Sequence, residues 1–164
     1  MTILNIRKYP DPILRKKAKR ISTVTDEILR LVSDMIETLE EAGGVGLAAP
    51  QVGFSIQLSV IKPLKENPAV VLLNPRIKSV KGRLIMEEGC LSIPGVTLKV
   101  KRYNEIVLEA MNIKGERVKL NAGELLSRII QHELDHLNGV LILDRVNLLK
   151  RIKTIGSFRF KAIA

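Results

Sequence analysis

The sequence lacks several features, and each absence narrows the possible class of protein. It has no tryptophan, and aromatic residues make up only 3% of its 164 residues, so leucine, isoleucine and valine must fill the core. No stretch approaches the roughly 20 apolar residues that a membrane-spanning helix needs. The N-terminal segment also lacks the apolar run of a signal peptide. We therefore expect a cytoplasmic protein that does not act in a membrane.

The length and the overall composition are those of a globular protein. Hydrophobic residues make up 46% of the chain and charged residues 27%, a balance that argues against disorder. A chain of 164 residues can bury a core of its own. The sequence contains no repeat and no low-complexity linker. We therefore predict that residues 1–164 form a single domain.

The net charge of +10 favours polyanionic neighbours such as RNA. The lysines and arginines are nevertheless scattered along the whole chain, and no aromatic platform or nucleic-acid motif lies among them. This distribution is typical of a solvated basic surface. We therefore predict no sequence-specific binding of nucleic acid.

Apolar periodicity predicts a first helix and then a series of strands. Thr23 and Asp26 have capping-box spacing ahead of an amphipathic pattern, which ends at Gly43-Gly44. Two β-rich runs, 56–61 and 69–73, follow it. The prolines that bound these runs are Pro63, Pro68 and Pro75.

The second half of the chain predicts more strands and one further helix. Residues 98–100 and 106–108 continue the β pattern, and residues 112–115 have the composition of a hairpin turn. Asn121 is the predicted cap of the helix, and Gly139 is predicted to end it. Strands in succession without alternating helices predict an α+β fold, with antiparallel sheets packed around this helix.

The predicted second helix contains both histidines of the chain, in the segment His132-Glu133-Leu134-Asp135-His136. Positions i and i+4 share one face of a helix, so both imidazoles can bind one cation while Glu133 serves as the base. A helical wheel aligns the two histidines with Leu125 and Ile129 on the apolar side. Burial there should raise the pKa of Glu133, although a cation would oppose the shift. The opposite face is predicted to be solvated, and it carries Glu124, Arg128, Gln131, Asp135 and Asn138.

A catalytic zinc-type site needs three protein ligands and one open position. No histidine or glutamate follows His136, so the third ligand is either Asp144 or Cys90. Cys90 is the only cysteine and cannot form an internal disulfide, which leaves it as an inert core thiol, a reactive thiol or a ligand.

Three segments of the sequence resemble the signature motifs of the bacterial peptide deformylases. They are Gly44-Val45-Gly46-Leu47-Ala48-Ala49-Pro50-Gln51, Glu88-Gly89-Cys90-Leu91-Ser92 and Gln131-His132-Glu133-Leu134-Asp135-His136. The N-terminal stretch Tyr9-Pro10-Asp11-Pro12-Ile13-Leu14-Arg15 is also similar to the family, so the resemblance covers nearly the whole chain.

The resemblance implies a hydrolase that removes the formyl group from the N-terminal formyl-methionine of new polypeptides and releases formate. The implied metal ligands are Cys90, His132 and His136. The implied ion is Fe²⁺ in the cell, with Zn²⁺, Ni²⁺ or Co²⁺ as alternatives. Glu133 would transfer the proton, and the Gln51 side-chain amide and the Leu91 backbone N–H would hold the oxyanion.

The same resemblance predicts where the substrate lies. Gly44, Val45 and Gly46 are expected to pass beside the substrate backbone and to pair with it as a strand. Leu125 and Ile129 precede His132 on the apolar stripe of the predicted helix, so they are expected to line an apolar pocket that suits the methionine side chain. A nascent-chain substrate and the net charge together suggest a contact with the ribosome surface. The basic residues concerned are Lys150, Arg151, Lys153, Arg159 and Lys161.

Two other functions are compatible with these residues. The first is a metallopeptidase that uses Asp144 as its third ligand. The second is a basic RNA- or ribosome-associated domain in which the metal site is structural or vestigial, and Asp144 would be the fourth ligand of a closed structural site.

Overall fold

The computed structural model describes residues 2–64 and 66–163, with side chains as far as residue 158. Its α-helices are α1 (Asp26–Glu41), α2 (Glu124–Leu137) and α3 (Leu148–Ile163). Its strands are β1 (Gly46–Ala48), β2 (Leu58–Ile61), β3 (Val70–Lys81), β4 (Leu84–Gly89), β5 (Thr97–Arg102), β6 (Glu105–Met111) and β7 (Arg117–Gly123). Short 3₁₀ turns lie at Pro12–Arg15, Ala49–Val52 and Ile142–Arg145. Within this described part, no helix has the length and apolarity to cross a membrane.

The strands form two antiparallel sheets, and α2 lies between them. One sheet has the order β1-β2-β3-β6-β7, and the other is the pair β4-β5. Ile129 and Ile130 of α2 pack on the first sheet, where they meet Ile61, Leu72 and Leu108. Ion pairs described below connect the opposite side of α2 to β4 and β5. The predicted α+β class with antiparallel sheets is therefore confirmed.

Helix α1 covers the other side of the core, but it begins later than the sequence predicted. The predicted capping box at Thr23 is wrong, because the chain bends there and the helix starts at Asp26 with Thr25 as its N-cap residue. Asp26 and Glu27 in the first turn favour this start through the helix dipole. The predicted end is correct, since Gly43 takes a φ of 63° just after the helix.

One predicted strand end is wrong, and one strand was missed. Pro75 does not end its strand, because β3 continues to Lys81. The pairing of β3 with β6 shifts register between Leu73 and Arg76, so Pro75 sits at a bulge where its missing N–H costs no ladder bond. Strand β4, which leads directly into Cys90, was not predicted from the sequence.

The start of α2 also differs from the prediction, although its end does not. Asn121 is not the N-cap residue, because it pairs with Val107 in the β6-β7 ladder and Gly123 precedes the helix instead. Gly139 follows the helix with a φ of 71°, as predicted. The predicted turn at 112–115 is present as well, with Gly115 N–H donating to Asn112 O.

Candidate active site

Three potential metal ligands meet where strand β4 ends against helix α2. Cys90 Sγ lies 3.2 Å from His136 Nε2, which lies 3.2 Å from His132 Nε2. The three donor atoms all lie within 4.8 Å of one another. A tetrahedral metal bound by one thiolate and two imidazoles separates its donors by about 3.3–3.6 Å. The donor set therefore fits a single divalent ion.

The electrostatic surroundings of His132 also favour a cation. Burial alone would lower the pKa of His132, but its contacts with the Cys90 and Glu88 side chains raise it to about 10. The pKa of His136 is lowered well below its ordinary value by burial and by the nearby charge of His132. The surroundings of the cluster thus stabilise one positive charge. A metal ion can supply this charge in place of the proton on His132.

Asp144, the alternative third ligand, is occupied elsewhere. Its carboxylate pairs with Arg15 and Arg151 and accepts the backbone N–H of Leu141 at 2.8 Å. Among the described residues, the group of side chains arranged to hold a metal is Cys90, His132 and His136. The thiol is therefore the third member of the cluster, and the fourth protein ligand of a closed structural site is not found in the described part of the chain.

Glu133 is buried immediately beside the cluster. Its Oε2 atom has no hydrogen-bond partner among the described residues, so the buried ion pair with an arginine that would give it a purely structural role is not formed. Burial raises the pKa of Glu133 to about 7, against the opposing effects of His132 and Arg102. A carboxyl group with this pKa can both accept and release a proton near neutral pH.

Gly46 of β1 explains how Glu133 is accommodated. A side chain at this position would collide with Glu133 Oε1 and would approach Ile129 Cγ2 to 2.9 Å. Only glycine lets the edge strand pass this close to the carboxylate. The glycine therefore sets the distance between the edge strand and the Glu133 carboxylate.

Gln51 and Leu91 flank the thiol. Gln51 Oε1 accepts the N–H of Ala48 at 2.9 Å, so its amide nitrogen points the other way, toward Ser92 Oγ at 3.2 Å and Cys90 Sγ at 3.8 Å. Leu91 lies in the turn after Cys90, and its carbonyl accepts a hydrogen bond from Lys8 Nζ at 2.6 Å. Both residues line the same cavity as the cluster.

Glu88 is a buried glutamate that was not predicted as a site residue, and it contacts the His132 ring on the side away from Cys90. Its Oε2 atom lies 3.3 Å from His132 Nδ1. Arg102 donates to both of its oxygens at 2.9 Å, and Arg128 donates to Oε1 at 2.7 Å. Burial alone would raise the pKa of Glu88, but the hydrogen bonds from His132 and Arg102 lower it to about 2. Glu88 is therefore an anion that can hold the His132 ring by its second nitrogen.

The prediction that this side of α2 is solvated holds for Glu124 and Asn138, which are exposed, and is wrong for the three residues between them. Arg128, Gln131 and Asp135 are all buried, with exposed fractions of 5–7%. Asp135 accepts from Arg102 at 2.6 Å and also pairs with Arg145. Polar residues can face inward here because each finds an oppositely charged or hydrogen-bonding partner. The one signal for this network in the sequence was Glu88, which lies two residues before Cys90 in the quoted motif.

A cavity of about 550 Å³ opens onto the cluster, and the predicted substrate-contacting residues line it. Gly44, Val45 and Gly46 form one wall, and Leu125 and Ile129 are part of another. Ile129 is buried, whereas Leu125 is half exposed at the rim. Strand β1 is an edge strand, so its outer backbone groups are available to an incoming peptide. The structure thus brings the predicted site residues to one cavity, except His136, which is buried next to Cys90 and does not line the cavity itself.

The fold and the site together define an α+β protein in which a buried carboxylate lies beside a Cys-His-His cluster that could hold one metal ion. The polypeptide deformylase family model matches residues 3–152. A peptide deformylase of Thermodesulfovibrio yellowstonii is 44% identical over 154 residues, which cover 92% of this chain and 93% of that protein.

Solved structures agree with the sequence comparison. A crystal structure of a peptide deformylase from Legionella pneumophila superposes with a TM-score of 0.93 at 38% identity, covering 99% of this chain and 97% of that one. A crystal structure of a peptide deformylase from Synechococcus elongatus in complex with actinonin superposes with a TM-score of 0.88 at 44% identity. The match covers 94% of this chain and 85% of that one. The chain belongs to the polypeptide deformylase family. It is accordingly a hydrolase of protein biosynthesis that removes the N-formyl group from new polypeptides.

Proposed function

We propose that residues 1–164 act as one catalytic domain in which Cys90, His132 and His136 hold the metal and Glu133 transfers the proton. The observation that carries this assignment is the buried Glu133 carboxylate, whose Oε2 atom has no hydrogen-bond partner among the described residues and which lies beside a set of three potential metal donors. A carboxylate without a partner is costly to bury, so its retention is explained best by a role in the reaction.

The metal, Glu133, Gln51 and Leu91 each have a separate role in the proposed reaction. A divalent ion in this cluster supplies Lewis acidity, which lowers the pKa of water and polarises a carbonyl. Glu133 takes a proton from the attacking water and passes it to the amine that leaves as formate is released. The Gln51 amide and the Leu91 backbone N–H stabilise the negative charge that develops on the formyl oxygen. Gln51 suits this role because its contact with Ala48 turns the amide nitrogen toward the site.

We propose that the methionine side chain of the substrate packs against Leu125 and Ile129. The two residues lie one turn apart on α2 and line the cavity on the approach to His132. An unbranched thioether fills an apolar wall of this kind well. The substrate backbone would then add to the outer edge of β1, next to Val45 and Gly46.

The proposed ion in the cell is Fe²⁺, with Zn²⁺, Ni²⁺ and Co²⁺ as ions that the same donors accept. Zinc binds more tightly than iron in the general affinity order, so aerobic purification should enrich zinc. We expect the iron or nickel form to be faster than the zinc form, and the iron form to lose activity in peroxide through oxidation of iron and of Cys90. Equal rates in all metal forms, with no effect of peroxide, would contradict this proposal.

Replacing the candidate third ligands one at a time tests the site assignment. Cys90→Ala should lose the metal or most of the formate release from formyl-Met-Ala-Ser, because two histidines alone remain. Asp144→Asn should keep both, since Asp144 is paired with arginines. The reverse pattern, together with cleavage of casein, would favour the metallopeptidase. Near-zero turnover of the wild type with stoichiometric metal would favour a structural site.

Contact with the ribosome surface is a further proposal, and it rests on charge. Lys150 and Lys153 are exposed on α3, whereas Arg151 pairs with Asp144. The side chains of Arg159 and Lys161, which complete the proposed set, lie outside the described residues. Co-sedimentation with ribosomes should weaken when these five positions are neutralised, and unchanged co-sedimentation would refute the contact.

A further inference from the structure

A second cavity, of about 820 Å³, lies between α3 and the segment that leads into β5. Residues 94–98 form one side of this α3 groove. The other side includes Asn147, Leu149, Lys150, Lys153, Thr154 and Phe158. The family resemblance assigned no role to it, and none of the proposed catalytic residues lies in it.

The α3 groove adjoins the active-site cavity. Residues 94–97 line both spaces, so a chain that crosses this segment on its way out of the active-site cavity reaches the groove. An extended peptide advances about 3.3 Å per residue, so the first few residues of a substrate remain in the active-site cavity. The residues after them extend beyond this cavity, and the α3 groove is the neighbouring surface across residues 94–97.

The lining of the groove indicates which side chains it favours. Leu149 is 81% exposed, and Val96 and Phe158 add further apolar surface. Lys150 and Lys153 are the charged residues in the described lining, and no acidic residue is found there. A surface of this kind suits apolar and acidic side chains and repels basic ones.

We propose that the α3 groove binds the segment of the formylated polypeptide that follows its first three residues, and that it prefers acidic and apolar side chains there. This inference rests on the proposed function, because the formylated end must lie at Cys90, His132 and His136. It adds that part of the selection among new polypeptides occurs downstream of the methionine. Because Lys150 and Lys153 are exposed, the preference for acidic residues should weaken with added salt.

The test compares formyl-Met-Ala-Ser with versions lengthened by about five residues that carry either glutamate or lysine. The glutamate version should have a kcat/KM about three- to ten-fold above the lysine version, mainly through KM. The double variant Lys150→Glu, Lys153→Glu should remove or reverse this ratio and leave the tripeptide unchanged. Lys114→Glu, in the turn between β6 and β7, is the matched control and should keep the wild-type ratio.

Each failure points to a different conclusion. No formate release from the tripeptide would refute the proposed function itself. Normal release from the tripeptide, with equal kcat/KM for both long peptides, would refute the groove. An effect of the double variant confined to ribosome-bound chains would also overturn the groove, because it would assign these lysines to the ribosome surface instead.

Discussion

Glu88 Oε2 lies 3.3 Å from His132 Nδ1, on the side of the imidazole ring opposite to Cys90 and His136. Arg102 and Arg128 hold Glu88 as an anion. The Glu88 carboxylate therefore favours the neutral His132 tautomer that carries its proton on Nδ1. In this tautomer the lone pair lies on Nε2, which faces Cys90 and His136. This relationship links the proposed metal site to a buried ionic network. The first two predictions follow from it.

Glu88→Gln should weaken metal binding by about 10- to 100-fold, because the amide holds the His132 ring without favouring one tautomer. Titration of the metal-free protein with Co²⁺, followed by absorption, measures both the affinity and the ligand geometry. Glu109→Gln, an exposed glutamate on β6, is the control and should bind like the wild type. Equal affinities in all three proteins would show that Glu88 has no influence on the metal.

Arg102→Leu should destabilise the fold by about 3–5 kcal/mol, because Asp135 and Glu88 both lose a buried cationic partner. Thermal unfolding of the metal-free proteins would report this loss as a lower Tm. The control is Lys78→Met, which breaks the exposed pair with Glu109 and should cost less than about 1 kcal/mol. A comparable loss in both variants would mean that the buried network contributes no more than a surface pair.

Gly46→Ala should reduce kcat through misplacement of Glu133, since the added methyl group would collide with its Oε1 atom. A displacement of about 1 Å at a reacting group is enough for a loss of about 100-fold. Metal content should stay normal, because the nearest atoms that the added methyl group would meet belong to Glu133 and Ile129 and not to the three donors. The control is Gly156→Ala, at an exposed position of α3 where an added methyl group meets nothing within 4 Å, and it should keep the wild-type kcat. A normal kcat in Gly46→Ala would contradict the close approach.

The ion pairs of Asp144 predict a pH dependence of stability. Burial alone would raise the pKa of Asp144, but the hydrogen bond and charge of Arg15 lower it below its ordinary value of 3.8. A lowered pKa in the folded state stabilises the fold above about pH 4, and this contribution is lost as the pH falls through the folded-state pKa. The stability difference between wild type and Asp144→Asn should therefore shrink in acid. A constant difference from about pH 7 to about pH 3 would contradict this assignment.

The sequence predicted the parts of the site that depend on local spacing. The two histidines and Glu133 follow from helix periodicity, and Gly43 and Gly139 mark where the helices end. Asp135 could not be placed correctly in the same way, because its burial depends on Arg102, which lies 33 residues away. Periodicity cannot separate a solvated polar face from one that is buried against charged partners.

The strand errors have a similar cause. Pro75 is a reliable strand breaker only where its N–H would be needed, and the bulge opposite β6 removes that need. Asn121 is a good N-cap residue by type, but its pairing with Val107 keeps it in β7. In both cases a partner distant in sequence overrides the local preference.

The central claim is that Glu133 transfers the proton beside a metal held by Cys90, His132 and His136. The most direct test is formate release from formyl-Met-Ala-Ser by Glu133→Gln, with metal analysis of the same sample. The account predicts full metal content and a rate lower by about 100- to 10,000-fold, because glutamine keeps the shape of the side chain but cannot carry the proton. Near-normal turnover by the metal-loaded variant would contradict it.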